Sequence, residues 1–392
     1  MKYANFFLGI AILLFFGTSC TESERLTTSA VKVGNNLGKT TLKLSDIMRP
    51  TSIVVLDEPT NHSLRSISKI IYAENNNIII LDVGSDFRTA YLYDPQGSFV
   101  GVIGDTNKAE PHDIGLMDVS VFRDEVTLLG AGKRSFFNYR NNGLDSDPLT
   151  FATASIGDKL ERDAFGNYIL YNEHSGTNVS GNNYLVVYDN AGNLIKRMYP
   201  YNSSRENLSY EYTGFLLKSG KSLWFSPPFD NTIYEVTASK LSPIMHFDFE
   251  QANVPIELID KKISGSETLD YGFIGEWFVK HGSLIQLEYF YKGRIHHGFF
   301  DESSGLFYNT NSFQVDALSK LYQRCTIMPR DESAFVMVLR SEQIGSLYKD
   351  GLIDQENLNA MLPGLGDELM EAGTQNKPVL VTFQYHNGAG LR

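Results

Sequence analysis

The chain has 392 residues, of which 42% are hydrophobic and 20% charged, with 33 Gly, 13 Pro, two Cys and a formal net charge of −12. This composition excludes a disordered chain, which would hold fewer large apolar residues, and a small disulfide scaffold, which would be shorter and richer in Cys. The acidic balance, with no run rich in Lys or Arg, argues against nucleic acid as a partner.

The N-terminus has the features of an export signal over residues 1–19. Lys2 precedes an apolar run at 6–16, and three small residues follow in front of Cys20. The run is too short to cross a bilayer core of about 30 Å comfortably, which favours a cleaved signal over the alternative, a permanent transmembrane anchor. The residues before Cys20 resemble the bacterial lipobox, and this resemblance implies cleavage after residue 19 and a lipid on the Cys20 thiol.

Residues 20–40 are predicted to be the lipidated Cys and a flexible tether, because the stretch is polar and holds several Asn and Gly. The acids interleaved with Ser just after Cys20 resemble the signal that sends Bacteroidetes lipoproteins to the outer face of the outer membrane. The expected location is therefore the outer membrane, with cell-surface exposure favoured and the periplasmic side as the alternative. With Cys20 used by lipid, Cys325 stands alone, and its strand-like setting predicts a buried apolar residue instead of a catalytic thiol.

A repeated unit begins near residue 67 and predicts four-stranded antiparallel sheets. Its clearest copy has apolar runs at 67–73, 78–82, 90–94 and 99–104 with polar or Gly-containing turns between them. Intervals of 46, 49, 47 and 66 residues separate the turn markers Gly97, Gly143, Gly192, Ser239 and Gly305. Three periods in the forties, and the many Tyr and Phe, predict an all-β, six-bladed β-propeller over residues 41–392, with an insertion in the longest interval. A β-sandwich of hairpins is the alternative.

The last blade is predicted to hold a short helical excursion and to close the ring. Apolar residues recur at three-to-four spacing within residues 354–374, which predicts two short helices divided near Pro363. We interpret them as a packing element in preference to a partner-binding helix. Residues 378–385 restore a strand, and the unassigned strand at 51–57 would complete this blade by pairing the two chain ends.

Five segments together resemble a known family: LKLSDI (42–47), IVVL (53–56), SISKI (66–70), SPPFDNTIY (226–234) and PVLV (378–381). In this order they resemble the six-bladed β-propeller lipoproteins of Bacteroidetes, which are themselves similar to NHL-repeat propellers. The resemblance covers essentially the whole mature chain. It implies the fold and an envelope location beside outer-membrane import and glycan-use systems. It carries over no catalytic residue, because the family has no established activity.

The sequence contains no Gly-rich phosphate loop, nucleophile elbow, His-Glu-x-x-His helix or Cys/His zinc spacing. It therefore predicts no catalytic residue, no metal and no cofactor. His296 and His297 are neighbours on a predicted strand, so their rings point to opposite faces and do not chelate one ion together.

Binding is the function that the sequence favours. Propellers expose the loops between the second and third strands of each blade, and aromatic and basic residues there are suited to stack on sugars or peptides and to donate to anionic groups. For each aromatic residue, the alternative is that its ring packs within its own blade. The predicted ligand-binding residues are Phe87, Arg88, His174, Phe229, Tyr289, Tyr291 and Arg294.

We therefore expect a membrane-anchored lipoprotein whose propeller is a binding platform for a glycan, a peptide or a partner protein of an outer-membrane uptake system. One alternative is a cation-dependent propeller hydrolase, lactonase or lyase, with inward acids such as Asp82, Asp118 or Glu276 in the axial tunnel. Three or more converging acids, Asn or His there would favour the enzyme. A further alternative is a scaffold that binds no small ligand.

Overall fold

In the computed structural model of the chain, the described residues form 25 strands and six α-helices. The strands make six antiparallel sheets arranged as the six blades of a β-propeller, one of which carries an extra parallel strand. The described residues are 29–33, 42–59, 64, 66–83, 88–104, 115–130, 134–140, 148–153, 157–172, 182–201, 215–219, 221–259, 270–322, 325–331 and 333–386.

Blades 1 to 3 follow each other along the chain after three N-terminal elements. Those elements are β1 (Ser29–Lys32), α1 (Leu44–Ile47) and β2 (Met48–Val55). Blade 1 consists of β3 (Ile67–Tyr72), β4 (Ile78–Val83), β5 (Arg88–Tyr93) and β6 (Phe99–Val102). Blade 2 consists of β7 (Leu116–Phe122), β8 (Glu125–Gly130), β9 (Ser135–Tyr139) and β10 (Leu149–Ala152). Blade 3 consists of β11 (Lys159–Arg162), β12 (Tyr168–Tyr171), β13 (Asn183–Tyr188) and β14 (Leu194–Pro200).

Blades 4 to 6 are joined by helical connections. Blade 4 consists of β15 (Phe215–Ser219), β16 (Ser222–Ser226), β17 (Thr232–Val236) and β18 (Leu241–Asp248), and α2 (Ile256–Ile259) follows it. Blade 5 consists of β19 (Gly272–His281), β20 (Leu284–Tyr291), β21 (Arg294–Asp301) and β22 (Leu306–Thr310), followed by α3 (Ala317–Tyr322). Blade 6 contains β23 (Thr326–Pro329), β24 (Phe335–Leu339), α4 (Ser341–Lys349), α5 (Gln355–Met361), α6 (Leu365–Gln375) and β25 (Val379–Tyr385).

The repeated turn lies between the third and fourth strands of a blade, as predicted. In blade 1 the Asp94 carboxylate accepts hydrogen bonds from two backbone N–H groups at 2.8 and 2.9 Å, and Gly97 has a φ of +90°. Blade 3 repeats this arrangement with Asp189 and with Gly192 at a φ of +84°. The Asp side chain satisfies the turn amides and Gly adopts the left-handed conformation, so a local sequence specifies each turn. The marker Gly143 lies outside the described residues.

The ring closes between the two chain ends, as the sequence predicts. The outermost strand of blade 6 is β2, which pairs antiparallel with β25 and places Ile53 opposite Val381. The Thr51 hydroxyl donates a hydrogen bond to the carbonyl of Thr382 at 3.3 Å. The extra length of the longest repeat interval lies in the connection between β18 and β19 and in the long strands of blade 5.

Residues 29–33 differ from the flexible tether predicted for 20–40. They include β1, which pairs in parallel with β18 as a fifth strand of blade 4. Val31 and Val33 are only 4% and 1% exposed. Burial of these two side chains together with the backbone ladder outweighs the polar composition of the surrounding stretch. The rest of the predicted tether, and Cys20 with the signal sequence, lie outside the described residues.

The helical excursion packs as part of the propeller. The two predicted helices are α5 and α6, divided around Pro363, and a third helix that the sequence did not predict, α4, precedes them. Leu358, Leu365 and Leu369 are fully buried in the core that blades 5 and 6 share. These helices leave the sheet at the end of β24 that is remote from the β23–β24 turn. Their apolar face is therefore used for packing.

Candidate functional site

A cavity of about 670 Å³ lies on the axis of the ring. Its walls come from the innermost strands β3, β7, β11, β15 and β23, so five of the six blades contribute described residues to it. Its mouth is formed by the turns that join the first and second strands of these blades, including Glu74, Asn76 and Ala164. Side chains that line it include Lys69, Tyr72, Glu161, Lys218, Met328 and Arg330.

One charged group of the cavity is a lysine held between two acids. The Lys69 ammonium lies 3.0 Å from Asp118 Oδ2 and 2.7 Å from Glu161 Oε1, and it donates to the Leu160 carbonyl at 2.9 Å. Asp118 and Glu161 are each 4% exposed. Ser120 donates to the second oxygen of Glu161 at 3.0 Å. Because these residues come from β3, β7 and β11, the network ties the inner strands of blades 1, 2 and 3 together.

The electrostatics of this network favour the charged lysine. Burial alone would lower the pKa of Lys69, but the two carboxylates outweigh it and raise the pKa above its usual value. Removal of one partner from such a buried set leaves an uncompensated charge, which costs about 3–5 kcal/mol. The network therefore stabilises the packing of blades 1, 2 and 3 around the axis.

A second lysine in the same cavity is placed differently. Lys218 on β15 reaches from blade 4 to blade 2, where its ammonium donates to the Val121 carbonyl at 3.0 Å. No carboxylate of the described residues lies within ion-pair distance of it. Burial lowers its pKa, and the attraction of Glu161 only partly opposes this effect. Of the three lysines that line the cavity, Lys69 is thus paired with carboxylates, whereas Lys218 has no carboxylate partner among the described residues.

The next residue along β11 points away from the axis. The Arg162 guanidinium donates to Thr127 Oγ1 at 3.0 Å and lies 4.2 Å from the centroid of the Tyr168 ring. Burial lowers its pKa. This arginine fills the interface between blades 2 and 3 and is not part of the cavity wall.

The mouth of the cavity combines an aromatic ring with an arginine. The Arg330 guanidinium lies 4.3 Å from the centroid of the Tyr72 ring and donates to Thr382 Oγ1 at 3.0 Å. Its Nε lies 3.7 Å from Asp331 Oδ2. Burial raises the pKa of Tyr72 to about 12, so its hydroxyl stays protonated at neutral pH. The mouth therefore holds a cation stacked over an aromatic ring.

Two of the predicted ligand-binding aromatics are buried within the protein. Phe229 is 5% exposed and packs edge-to-face against Phe273 at 5.0 Å between ring centroids. Tyr289 is fully buried and stacks on His296 at 5.1 Å. This arrangement corrects the stacking role assigned to these two residues, because neither ring offers a face to solvent. Their aromatic surface stabilises the blades instead.

The other predicted residues lie at the same end of the strands. Arg88 donates to the Met117 carbonyl at 3.0 Å and so links blades 1 and 2. Tyr291 is half-buried beside His296, and Arg294 is exposed as the first residue of β21. None of these described residues lines the axial cavity, whose mouth is at the opposite end of the inner strands. Phe87 and His174 lie outside the described residues.

Two of the acids named for a cation-dependent enzyme, Asp118 and Asp82, are engaged by other groups. Within the described part of the chain, no group of three or more His, Cys, Asp or Glu side chains is placed to hold a metal ion. Of the proposed inward acids, Asp118 is paired with Lys69, and Asp82 lies on the second strand of blade 1, where it accepts a hydrogen bond from the Ser66 amide. The side chain of Glu276 lies outside the described residues.

The other residues singled out in the sequence have structural contacts. His297 packs beside Tyr322 at 5.1 Å between ring centroids, on the strand face opposite to His296. Cys325 is half-buried, its thiol donates to the Tyr322 carbonyl at 3.3 Å, and burial raises its pKa well above the usual value. A thiol with a raised pKa is a poor nucleophile at neutral pH.

Sequence reasoning missed Lys69 and Lys218, two of the three lysines that line the cavity, although a signal for them exists. Lys69 is the single charged residue of ISKIIY in β3, and Lys218 is the single charged residue of FLLKS in β15. A lone lysine in the first, innermost strand of a blade is costly to bury unless it pairs or lines a cavity. The cost of burial therefore indicates that Lys69 and Lys218 pair with another group or line a cavity.

The fold and its axial cavity define the class of the protein as a six-bladed β-propeller with a candidate ligand site on the ring axis. The chain belongs to the family described as a domain of unknown function (DUF4934), whose model matches residues 28–383. No curated protein sequence matches the chain.

Comparison with solved structures gives matches at low sequence identity. A Bacteroides fragilis protein described as exported superposes with a TM-score of 0.69 at 17% identity, over 92% of this chain and 100% of that one. A DUF4221 family member from Bacteroides vulgatus gives 0.45 at 8% identity, over 87% and 98% of the two chains. Virginiamycin B lyase from Staphylococcus aureus gives 0.42 at 13%, over 73% and 80%. The first similarity supports the shared fold, and the other two add nothing to it.

Proposed function

We propose that this protein is an exported binding protein of the cell envelope, and that its ligand enters the axial cavity. The observation that carries the proposal is a cavity of about 670 Å³ on the ring axis, a size typical of small-molecule sites. Its wall combines cations, acids and ring faces drawn from five blades. A rigid ring that holds such a cavity is suited to select a ligand, and the acids nearest its centre are already neutralised.

The ligand in this proposal is a glycan or a peptide, and the protein serves an outer-membrane uptake system, alone or with a partner protein. The support for this part comes from the lipobox-like N-terminus and from the family resemblance of the sequence. The surface loops with Arg294 and Tyr291 remain available for a partner protein at the other end of the ring.

Location is part of the same proposal. The sequence supports a signal at 1–19, a lipid on Cys20 and an outer membrane lipoprotein that faces the cell surface or, as the alternative, the periplasm. The Bacteroides fragilis protein described as exported agrees with an envelope location. In the described residues, no helix has the length and apolar character to span a bilayer. Cys20→Ala should release the protein from membranes, and continued membrane retention would refute the lipid anchor. Protease treatment of intact cells distinguishes the two faces.

A screen with a blocked cavity tests the binding function. The full-length protein, purified in detergent, is presented to glycan arrays and to peptide mixtures. The double variant Glu74→Trp, Ala164→Trp places two indoles at exposed positions of the cavity mouth. We expect at least a tenfold loss of binding for this variant, and no loss for Asn190→Trp, an exposed turn residue that does not line the cavity. Binding that survives the two mouth substitutions, or turnover of a hydrolase panel without binding, would contradict the proposal.

A further inference from the structure

Lys69 and Lys218, two of the three lysines that line the axial cavity, differ in how completely their hydrogen-bond donors are used. An ammonium group has three donors and no acceptor. Those of Lys69 face Asp118, Glu161 and a backbone carbonyl, all within 3.0 Å. Lys218 has one partner among the described residues, the Val121 carbonyl at 3.0 Å. Lys218 also lines the cavity, so its remaining donors are available to a bound group.

The carboxylates near Lys218 are occupied by other partners. Glu161 binds Lys69 through one oxygen and accepts from Ser120 through the other. Asp163 accepts two backbone N–H groups of its own turn at 2.9 Å. These acids stay in place when a ligand binds, because each is held by bonds of 3.0 Å or less. Lys218 therefore has no carboxylate partner among the described residues, whereas Glu161 and Asp163 are engaged by other groups.

We infer that the axial cavity binds a ligand that carries a carboxylate, that Lys218 pairs with this carboxylate, and that the ligand is an acidic sugar. The inference rests on the proposed function and names the ligand class of the same site. The ammonium-to-carboxylate pair would be charge-assisted, and its position beneath the mouth would fix the orientation of the ligand.

The remainder of the wall selects within the class of anions. A phosphate ester brings two negative charges close to Glu161 and Asp163, and repulsion between like charges disfavours it. A purely apolar acid would bury the polar side chains Glu74 and Asn76 at the mouth without giving them partners. The hydroxyl groups of a sugar supply those partners, and the Arg330 guanidinium, which lies over the Tyr72 ring at 4.3 Å, is a further donor at the mouth.

The charge state of Lys218 gives the inference a second readout. Burial lowers the pKa of Lys218; Glu161 and Asp163 raise it, whereas Lys69 and Arg162 lower it further. A bound carboxylate favours the charged form of the Lys218 amine and raises its pKa. At a pH near the pKa that Lys218 has in the free protein, binding is therefore accompanied by uptake of a proton. Affinity is therefore highest at low pH, provided that the ligand carboxylate remains ionised, and it falls as pH rises through the lowered pKa of Lys218.

Calorimetric titration of the full-length protein tests the inference. The probes are matched pairs that differ at C6, galacturonate with galactose and glucuronate with glucose, together with galactose 6-phosphate and an N-acetylated dipeptide that has a free carboxylate. We expect the acidic sugars to bind at least tenfold more tightly than their neutral counterparts and than the phosphate and the peptide. Lys218→Met and Lys218→Gln should each abolish that preference, whereas Lys349→Met, which alters an exposed lysine of α4, should not.

The outcomes separate this inference from the proposed function. Equal affinity for acidic and neutral sugars, or an acid preference that persists in folded Lys218→Met, overturns the role of Lys218. Preference for the dipeptide or for the phosphate overturns the acidic-sugar class. A neutral ligand that is blocked by the two Trp substitutions at the mouth but is insensitive to Lys218→Met contradicts the inference and leaves the proposed function intact.

Discussion

The two ends of the inner strands differ in the side chains that surround them. At one end, the turns after the first strands surround a cavity that contains Lys69, Glu161 and Lys218. At the other end lie the buried rings of Phe229 and Tyr289 and the start of the helical excursion of blade 6. The aromatic residues Phe229 and Tyr289, which the sequence suggested for binding, pack inside the blades. The lysines Lys69 and Lys218, each the single charged residue of an innermost strand, line the space that a ligand can enter.

The largest expected effect concerns the ion-pair network of Lys69, Asp118 and Glu161 at the cavity end. Lys69→Met should lower the free energy of unfolding by about 3–5 kcal/mol, because Asp118 and Glu161 lose their common partner and remain buried. Denaturant unfolding measures the loss. The triple variant with Asp118→Asn and Glu161→Gln removes all three charges and should recover most of it. A loss below about 1 kcal/mol for Lys69→Met alone would show that water enters and solvates the two acids.

The helical excursion gives the next largest effect, at the other end. Leu369 is fully buried, and Leu369→Ala should cost about 3 kcal/mol through lost apolar contact and the cavity left behind. Ligand binding at the axis should not change, because α6 contributes no lining residue there. Glu371→Ala on the exposed side of the same helix serves as the control and should stay within about 0.5 kcal/mol of the parent protein. Loss of binding in folded Leu369→Ala would show that the two ends are coupled.

A pair of tyrosines sharpens the distinction between packing and polar contact. The Tyr289 hydroxyl is buried and has no hydrogen-bond partner in the described part of the protein. The Tyr234 hydroxyl donates to Asp230 at 2.9 Å. Tyr289→Phe should therefore be neutral or stabilising by about 1 kcal/mol, and Tyr234→Phe destabilising by about 1 kcal/mol. Thermal unfolding measures both, and a matching loss in the two variants would reveal a partner for Tyr289.

The smallest expected effect is the pH dependence that Lys218 contributes. The folded state lowers the pKa of Lys218, so between the folded and unfolded pKa values the unfolded chain binds more protons and stability rises with pH. Lys218→Met should be neutral or about 1 kcal/mol more stable than the parent at pH 7, and the difference should shrink as pH rises. Unfolding series at several pH values test this. A difference that grows with pH would contradict the assigned direction of the pKa change.

Local chemistry explains why so much of the fold was predictable. The turn at Asp94 and Gly97 is specified within five residues, and its repetition reveals the blades. The pairing of β2 with β25 was predicted because the last blade lacked a fourth strand and the strand at 51–57 belonged to no blade. By contrast, α4 contains Gly345, a poor helix former, whose place is fixed by packing: a Cβ there would lie 2.5 Å from the side-chain oxygen of Asn376.

The candidate site was harder to predict for a geometric reason. Burial along inner strands such as β3 and β7 does not follow a simple alternation between core and solvent, so one sequence does not show which side chains point to the axis. Lys218 and Val121 meet across the ring although 97 positions separate them along the chain. The exposed loops were conspicuous by composition, but Phe229 and Tyr289 turned inward because burial of an aromatic ring in a blade stabilises the fold.

The pairing of β2 with β25 also makes completion of blade 6 a late step in folding. The two strands meet although Thr51 and Thr382 are 331 positions apart, so the sheet of blade 6 is incomplete until the C-terminal strand is present. Until then β24 and β2 keep open edges, which are sites of unwanted pairing with other chains. Contacts so distant in sequence form slowly. In the proposed export, these edges stay open until the last strand reaches the envelope, where insertion of β25 between β24 and β2 covers both.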